Sequence, residues 1–153
     1  MRLQHSVAAG LAGTAAESLL TLAQTASRGR SSIYDPAEMA GRLAQRWLDL
    51  PLGAGQRRWI GRLMRWSYGP GWAVLFGVIA GRRRMGPTWP AWGLCLGAAV
   101  LAFELAALPP IGATPALRDW GADEVGLDAL NAVVFGLVVA ATLRALRSRQ
   151  QAG

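Results

Sequence analysis

Residues 91–108 read AWGLCLGAAVLAFELAAL, an apolar run interrupted by a single ionisable residue, Glu104. A helix needs roughly 17–25 predominantly apolar residues to cross a bilayer, and this run is of that length. Working outward, the chain repeats the pattern at about residues 6–26 and 127–143. A shorter run over Pro70–Gly81 reaches spanning length only by borrowing Trp66 to Gly69 and the stems of flanking arginines, which gives a segment at about 66–81. Trp59, Trp66, Tyr68, Trp72, Trp89, Trp92 and Trp120 all sit near segment ends, as aromatic belts do at membrane–water boundaries.

The composition agrees. Of 153 residues, 52% are hydrophobic and only 16% charged, with a mean hydropathy of +0.25. A soluble surface of this size usually carries roughly a quarter or more charged residues. Disordered tails, coiled coils and disulfide scaffolds are excluded by the same numbers. All 16 basic residues are arginine, so neither a lysine Schiff base nor a phosphate-binding P-loop is available. His5 and Cys95 are each the only residue of their kind. Metal sites built from His and Cys, and Ser-His or Cys-His catalysis, therefore lack partners, and no catalytic residue, metal or cofactor is expected. Cys95, inside an apolar run, reads as a small buried hydrophobe. The formal charge of +7 suggests nucleic acid at first sight. The arginines, however, fall at the ends of apolar segments and in a connecting loop, which suits anionic lipid headgroups better, and no nucleic-acid partner is expected.

The first segment has one competitor, a cleaved signal peptide preceded by Arg2. Glu17 interrupts its apolar core and no clean small-residue cleavage site follows, so it is expected to remain as a span. Between the first and second spans, Asp35-Pro36-Ala37-Glu38 is a helix start with a capping box. It leads into a face of Met39, Leu43, Trp47 and Leu50 with Arg42 and Arg46 alongside. After a break at Pro51 and Gly53, a basic stretch follows from Arg57 to Trp66, with Trp59 and Leu63 among Arg58, Arg62 and Arg65. Both stretches read as interfacial helices over about 36–66, anchored by Trp47, Trp59, Trp66, Arg62 and Arg65; packing on a partner's surface is the alternative. Counting arginines does not orient the chain. With the amino terminus inside, seven arginines lie inside and nine outside.

Without a hydrophobic drive between helices in lipid, small residues mark the packing faces. The second span carries Gly69, Ala73, Gly77 and Gly81 at four-residue steps; the third carries Gly93 and Gly97; the fourth carries Ala132, Gly136 and Ala140. These ladders either pack the helices of one chain or join protomers. At 100° per residue, Ser6, Gly10, Gly13, Thr14, Glu17, Thr21, Gln24 and Arg28 share one face of the first span. A polar stripe of that length must face protein or water. Glu104 shares a face with Gly93 and Gly97, and Asn131 follows Asp128 by about one turn on the fourth span. An ionised carboxylate at mid-membrane costs at least about 2.5 kcal/mol, so each must be neutral, paired or hydrated. Glu17 and Glu104 are thus either a proton or cation site, or structural acids bonded between helices or near water. The third span ends in Leu108-Pro109-Pro110-Ile111-Gly112-Ala113-Thr114-Pro115, where the prolines stop the helix and impose an irregular path. That path forms either the mouth of a small-molecule site or a rigid turn.

With Ser67-Tyr68-Gly69 before the second span, the 108–115 segment after the third, and Leu143-Arg144-Ala145-Leu146-Arg147 closing the fourth, the chain resembles the YagU-like group of small bacterial inner-membrane proteins. The resemblance implies four spans with both termini cytoplasmic, and carries no reaction with it. Relatives often place a histidine before the tyrosine-glycine pair and another early in the last helix; here Arg65-Trp66-Ser67 and Asn131 stand at those places.

The sequence thus predicts a single all-α membrane domain over 1–153, with four transmembrane helices and one or two interfacial amphipathic helices between the first two. The expected role is non-enzymatic: a packing or accessory subunit that forms a homo-oligomer or joins other membrane subunits through its glycine faces. A proton- or cation-linked channel or transporter using the intramembrane carboxylates is the alternative. An enzyme acting on lipid through those carboxylates comes third.

Overall fold

The structure is a computed structural model that describes residues 3–29, 43–45, 53–80, 86–112, 114 and 116–152. Four long helices dominate it: α1 over Leu3–Arg28, α2 over Ala54–Ala80, α3 over Trp89–Ala107 and α4 over Ala122–Ala152. Short 3-10 turns at Gly86–Thr88 and Leu117–Asp119 lead into α3 and α4. The described chain is all-α.

Local chemistry accounts for the helix ends. α1 stops at Gly29, whose positive φ of 65° suits only a residue without a Cβ, and whose N–H bonds the Thr25 carbonyl at 3.1 Å. At the start of α2 the Gln56 side chain reaches back to accept the Gly53 N–H at 2.9 Å, which satisfies a donor that the helix leaves orphaned. Pro90 sits in the first turn of α3, where its missing N–H costs nothing. Pro109 and Pro110 end α3 as expected, and Gly112, at φ 76°, turns the chain back with its N–H on the Pro109 carbonyl at 3.0 Å. Thr114 and Trp120 in this connection are both buried. α4 opens with Asp123 and Glu124, acids that complement the positive end of its dipole.

The helices pack antiparallel along the chain. Gly10 of α1 lies against Gly69 and Pro70 of α2, with Ser18 beside Arg65. Gly13 of α1 lies against Phe135 and Val139 of α4, with Arg28 beside Glu124. Gly93 and Gly97 of α3 lie against Gly136 and Ala132 of α4. A Cβ on Gly97 would stand 2.6 Å from the Ala132 carbonyl oxygen, and one on Gly136 would collide with the Gly93 carbonyl. Backbone therefore meets backbone at this crossing, as small residues allow in membranes. α2 and α3 meet differently, through rings: Trp72 on Phe103 and Phe76 on Trp92, with centroids 5.6 and 6.3 Å apart. Ala9, Ala73, Phe76, Leu96, Val100, Phe135, Val139 and Leu143 form the core between them.

Three helices, α1, α3 and α4, are long and apolar enough to cross a membrane. Their surfaces are inverted relative to a soluble protein. Only 22% of the most apolar stretch of α3 is buried, and Leu19, Leu22, Leu75, Val78, Ile79 and Leu94 all face outward. Such a surface is matched by lipid and not by water.

Two expectations change here. The basic stretch from Arg57 to Trp66 and the short apolar run after it are one unbroken helix, α2, with Pro70 inside it. Nothing in 57–66 breaks a helix, and the loss of one backbone bond at Pro70 is tolerated where a neighbour packs closely. The arginine-rich half also keeps α2 out of the set of helices apolar enough to span. Cys95, expected to be buried, is exposed on the outer face of α3, because Gly93 and Gly97 take the inner one. Of the first interfacial stretch, only residues 43–45 are described, as helix, with Gln45 accepting from Arg57 at 3.3 Å; its capping box, Trp47 and the Gly81 step lie outside the described residues.

Candidate functional site

The polar stripe of α1 turns inward. Ser6, Gly10, Gly13 and Thr14 are buried against α2 and α4. Most of its hydroxyls are satisfied by their own helix: Thr14 bonds the Gly10 carbonyl at 3.0 Å, Ser18 that of Thr14 at 2.7 Å, and Thr21 that of Glu17 at 2.9 Å. In this way a polar helix presents little unmet demand to its neighbours. Lower on the stripe the partners come from α4. The Gln24 amide donates to the Asn131 side-chain oxygen at 3.2 Å, and the Arg28 guanidinium donates to Glu124 at 2.8 Å, with Asp123 at 3.7 Å.

Four further ionisable groups, Glu17 of α1, Arg65 of α2, Glu104 of α3 and Asp128 of α4, are each partly buried. Arg65 is held by donating to the Ser18 hydroxyl at 3.2 Å. Three carboxyl groups and one guanidinium, contributed by all four helices, are thus partly withdrawn from the surroundings. Among the described residues no three acids, histidines or cysteines are close enough to enclose a metal ion. Partly buried carboxyls of this kind can exchange protons.

The residues singled out from sequence fall into place unevenly. Glu17, Glu104 and Asp128 are each partly buried, and Asn131 accepts from the Gln24 amide. Gly69, Gly93, Gly97 and Gly136 contact neighbours within the chain, and Gly77 is buried in α2. Trp59, Arg62 and Trp66 are exposed on the first half of α2, as interfacial anchors would be. Arg65 differs from them: it is partly buried and donates to the Ser18 hydroxyl of α1. It stands one helical turn before Gly69 on the small-residue ladder, and that register was the signal that places it inward. Tyr68, grouped by sequence with the aromatic belt, packs its ring edge to face on Trp72. It shares the face of Arg65 and Trp72, a periodicity that marks it equally well.

Comparison of the chain with models of known families, with characterised proteins and with solved structures finds no match. What can be said of its function rests on this geometry.

Proposed function

We propose that the protein is a small multi-pass membrane protein that moves protons, or a cation exchanged for protons, across the bilayer through Glu17 and Glu104. One observation carries this reading: every helix contributes a partly buried ionisable side chain, Glu17, Arg65, Glu104 and Asp128, to an otherwise apolar assembly. Intramembrane carboxylates are costly to maintain and characteristic of proton and ion pathways. In this reading α2 is the fourth crossing. Its 27 residues extend for about 40 Å, beyond the ~30 Å hydrocarbon core. Its exposed arginines, Arg58 and Arg62, then reach anionic headgroups. Four crossings agree with the YagU-like resemblance, from which we take a bacterial inner membrane and two cytoplasmic termini. We assign no enzymatic role.

The accessory-subunit reading drew on glycine faces free to join protomers. Gly10, Gly69, Gly93, Gly97 and Gly136 instead meet partners within the chain, so they lend it no support. A second copy or another subunit would have to use apolar surface such as Leu75, Val78 and Ile79 of α2.

The test is proton flux. Purified protein in liposomes loaded with a pH-sensitive dye is expected to pass protons down an imposed gradient, and Glu17→Gln or Glu104→Gln to abolish it. Flux no faster than in empty vesicles would overturn the proposal.

A further inference from the structure

The positive charge in the first half of α2 is not answered by any described part of the chain. Arg57, Arg58, Arg62 and Arg65 all fall there, and the first turn of the helix carries no acid. Acids suit that position because the amino end of a helix dipole is positive, and α4 follows the rule with Asp123 and Glu124. Two of the four arginines are engaged with neutral groups: Arg65 donates to Ser18 and Arg57 to the side-chain oxygen of Gln45. Arg58 and Arg62 are exposed, and among the described residues neither is paired with a carboxylate.

These two arginines stand four residues apart, a spacing that sets their Cβ atoms about 5–6 Å from each other on one helix face. Helical side chains lean toward the amino end of their helix, and the Arg58 Nε, donating to the Ala54 carbonyl at 3.5 Å, follows that lean. In a crossing helix the lean carries the charge toward the headgroup layer. An apolar patch adjoins it. The packed side of α2 runs through Gly61, Gly69, Ala73 and Gly77. At 100° per residue Trp59 and Leu63 fall on the side away from Gly61, and they are 63% and 54% exposed. Inorganic phosphate would satisfy the guanidiniums and leave Trp59 and Leu63 in water. A phospholipid meets both parts at once: its phosphodiester takes the planar guanidinium forks, and its chains cover the apolar side, with the indole at the boundary between them. A zwitterionic headgroup carries its own ammonium beside the phosphate and so gains less from two arginines than an acidic one.

We propose that Arg58 and Arg62 hold the phosphate of an acidic phospholipid, of the phosphatidylglycerol class, with Trp59 and Leu63 alongside the upper part of its chains. The proposal rests on the reading of α2 as a crossing, though not on proton movement, and it narrows general headgroup contact to one preferred class of lipid at a defined place.

The probe is phosphatidylglycerol with brominated chains, titrated into the full-length protein in mild detergent, with brominated phosphatidylcholine as a control of the same chains and no net charge. Bromine quenches nearby tryptophan fluorescence, and the share of quenching lost in Trp59→Phe reports the ring beside the arginines. Saturable quenching of that share is expected at lower concentration with phosphatidylglycerol than with phosphatidylcholine. Arg58→Gln and Arg62→Gln are each expected to weaken phosphatidylglycerol binding about fivefold, the worth of one arginine at a membrane surface, and to leave phosphatidylcholine unaffected. Arg144→Gln combined with Arg149→Gln removes two exposed charges from the end of α4 and is expected to change nothing. Equal quenching by the two lipids, an equal loss from the Arg144 and Arg149 pair, or displacement of the lipid by millimolar inorganic phosphate would overturn the proposal. If a glutamine variant fails to fold, the preference of the wild type between the two lipids and the loss of that preference in 1 M salt, where the Debye length falls to about 3 Å, decide alone. Selective lipid binding without proton flux would sustain the site and remove proton transport; flux without lipid preference would do the reverse.

Discussion

Arg28 joins the last turn of α1 to the first turn of α4, its guanidinium 2.8 Å from the Glu124 carboxylate. The cation stands at the negative end of one helix dipole and the acid at the positive end of the other, so pair and dipoles reinforce each other. The Glu124 side chain is only 9% exposed, which spares the contact most of the screening that weakens surface pairs.

Removing this cation is expected to be costly. Arg28→Gln takes the positive charge from both Glu124 and Asp123, whereas Glu124→Gln leaves Arg28 with Asp123 at 3.7 Å. We expect a loss of about 2 kcal/mol for Arg28→Gln, the scale of a charged hydrogen bond, and a smaller one for Glu124→Gln. Unfolding in detergent measures both, and a larger effect for Glu124→Gln would contradict the arrangement.

The α3–α4 crossing leaves no room for a methyl group. Gly136→Ala is expected to destabilise by about 1–3 kcal/mol, as overpacking does, whereas Gly71→Ala, with nothing within 4 Å, should not lower the melting temperature. Because the clash is within one chain, the Gly136 effect should not vary with protein concentration; a concentration-dependent shift would place the contact between protomers.

Arg65 and Arg62, three residues apart on α2, differ in burial: Arg65 is partly buried and Arg62 exposed. Arg65→Leu removes the bond to Ser18. Thermal unfolding should show a clear loss for Arg65→Leu and little change for Arg62→Leu. Equal losses would mean that Arg65 is no better buried than Arg62.

The Gln24–Asn131 bond is expected to contribute little in spite of its depth. Hydrogen bonds between membrane helices average about 0.6 kcal/mol in double-mutant cycles, since the separated helices find other partners. A cycle with Gln24→Leu and Asn131→Leu should return a coupling near that value, and one above about 1.7 kcal/mol would exceed the range known for such bonds.

Cys95, the single cysteine and outward-facing on α3, reports on the surroundings of that face. A fluorophore attached there and reconstituted in vesicles should be quenched by spin-labelled lipid tails and protected from aqueous iodide. The opposite pattern would argue against a lipid-facing α3.

Much of this architecture was readable in the chain because the bilayer imposes simple demands. Three apolar runs had to be helices, since lipid leaves no other way to satisfy backbone groups, and the stripe through Glu17 had to turn inward. Glycine ladders gave the packing faces for the same reason. What composition concealed was continuity and direction. Arginine and tryptophan in 57–66 suggest a helix lying on a surface whether or not another helix follows, so α2 was divided at Trp66. Arg65 was assigned by its charge, although its register beside Gly69 decided its direction. The pairing of Gln24 with Asn131 and of Arg28 with Glu124 depends on how two helices separated by most of the chain are rotated, which no local pattern specifies.

The seams between the helices differ in stiffness. Where α3 crosses α4, and where Gly10 meets Pro70, main chain bears on main chain, and any slide drives atoms into overlap. Where α2 meets α3, rings touch edge to face, and side chains stand between the backbones. The molecule is therefore bound like a book, with α1 and α4 as its spine and α2 and α3 as the two covers. Glu104, next to Phe103 in the chain, lies on the cover whose rings meet α2.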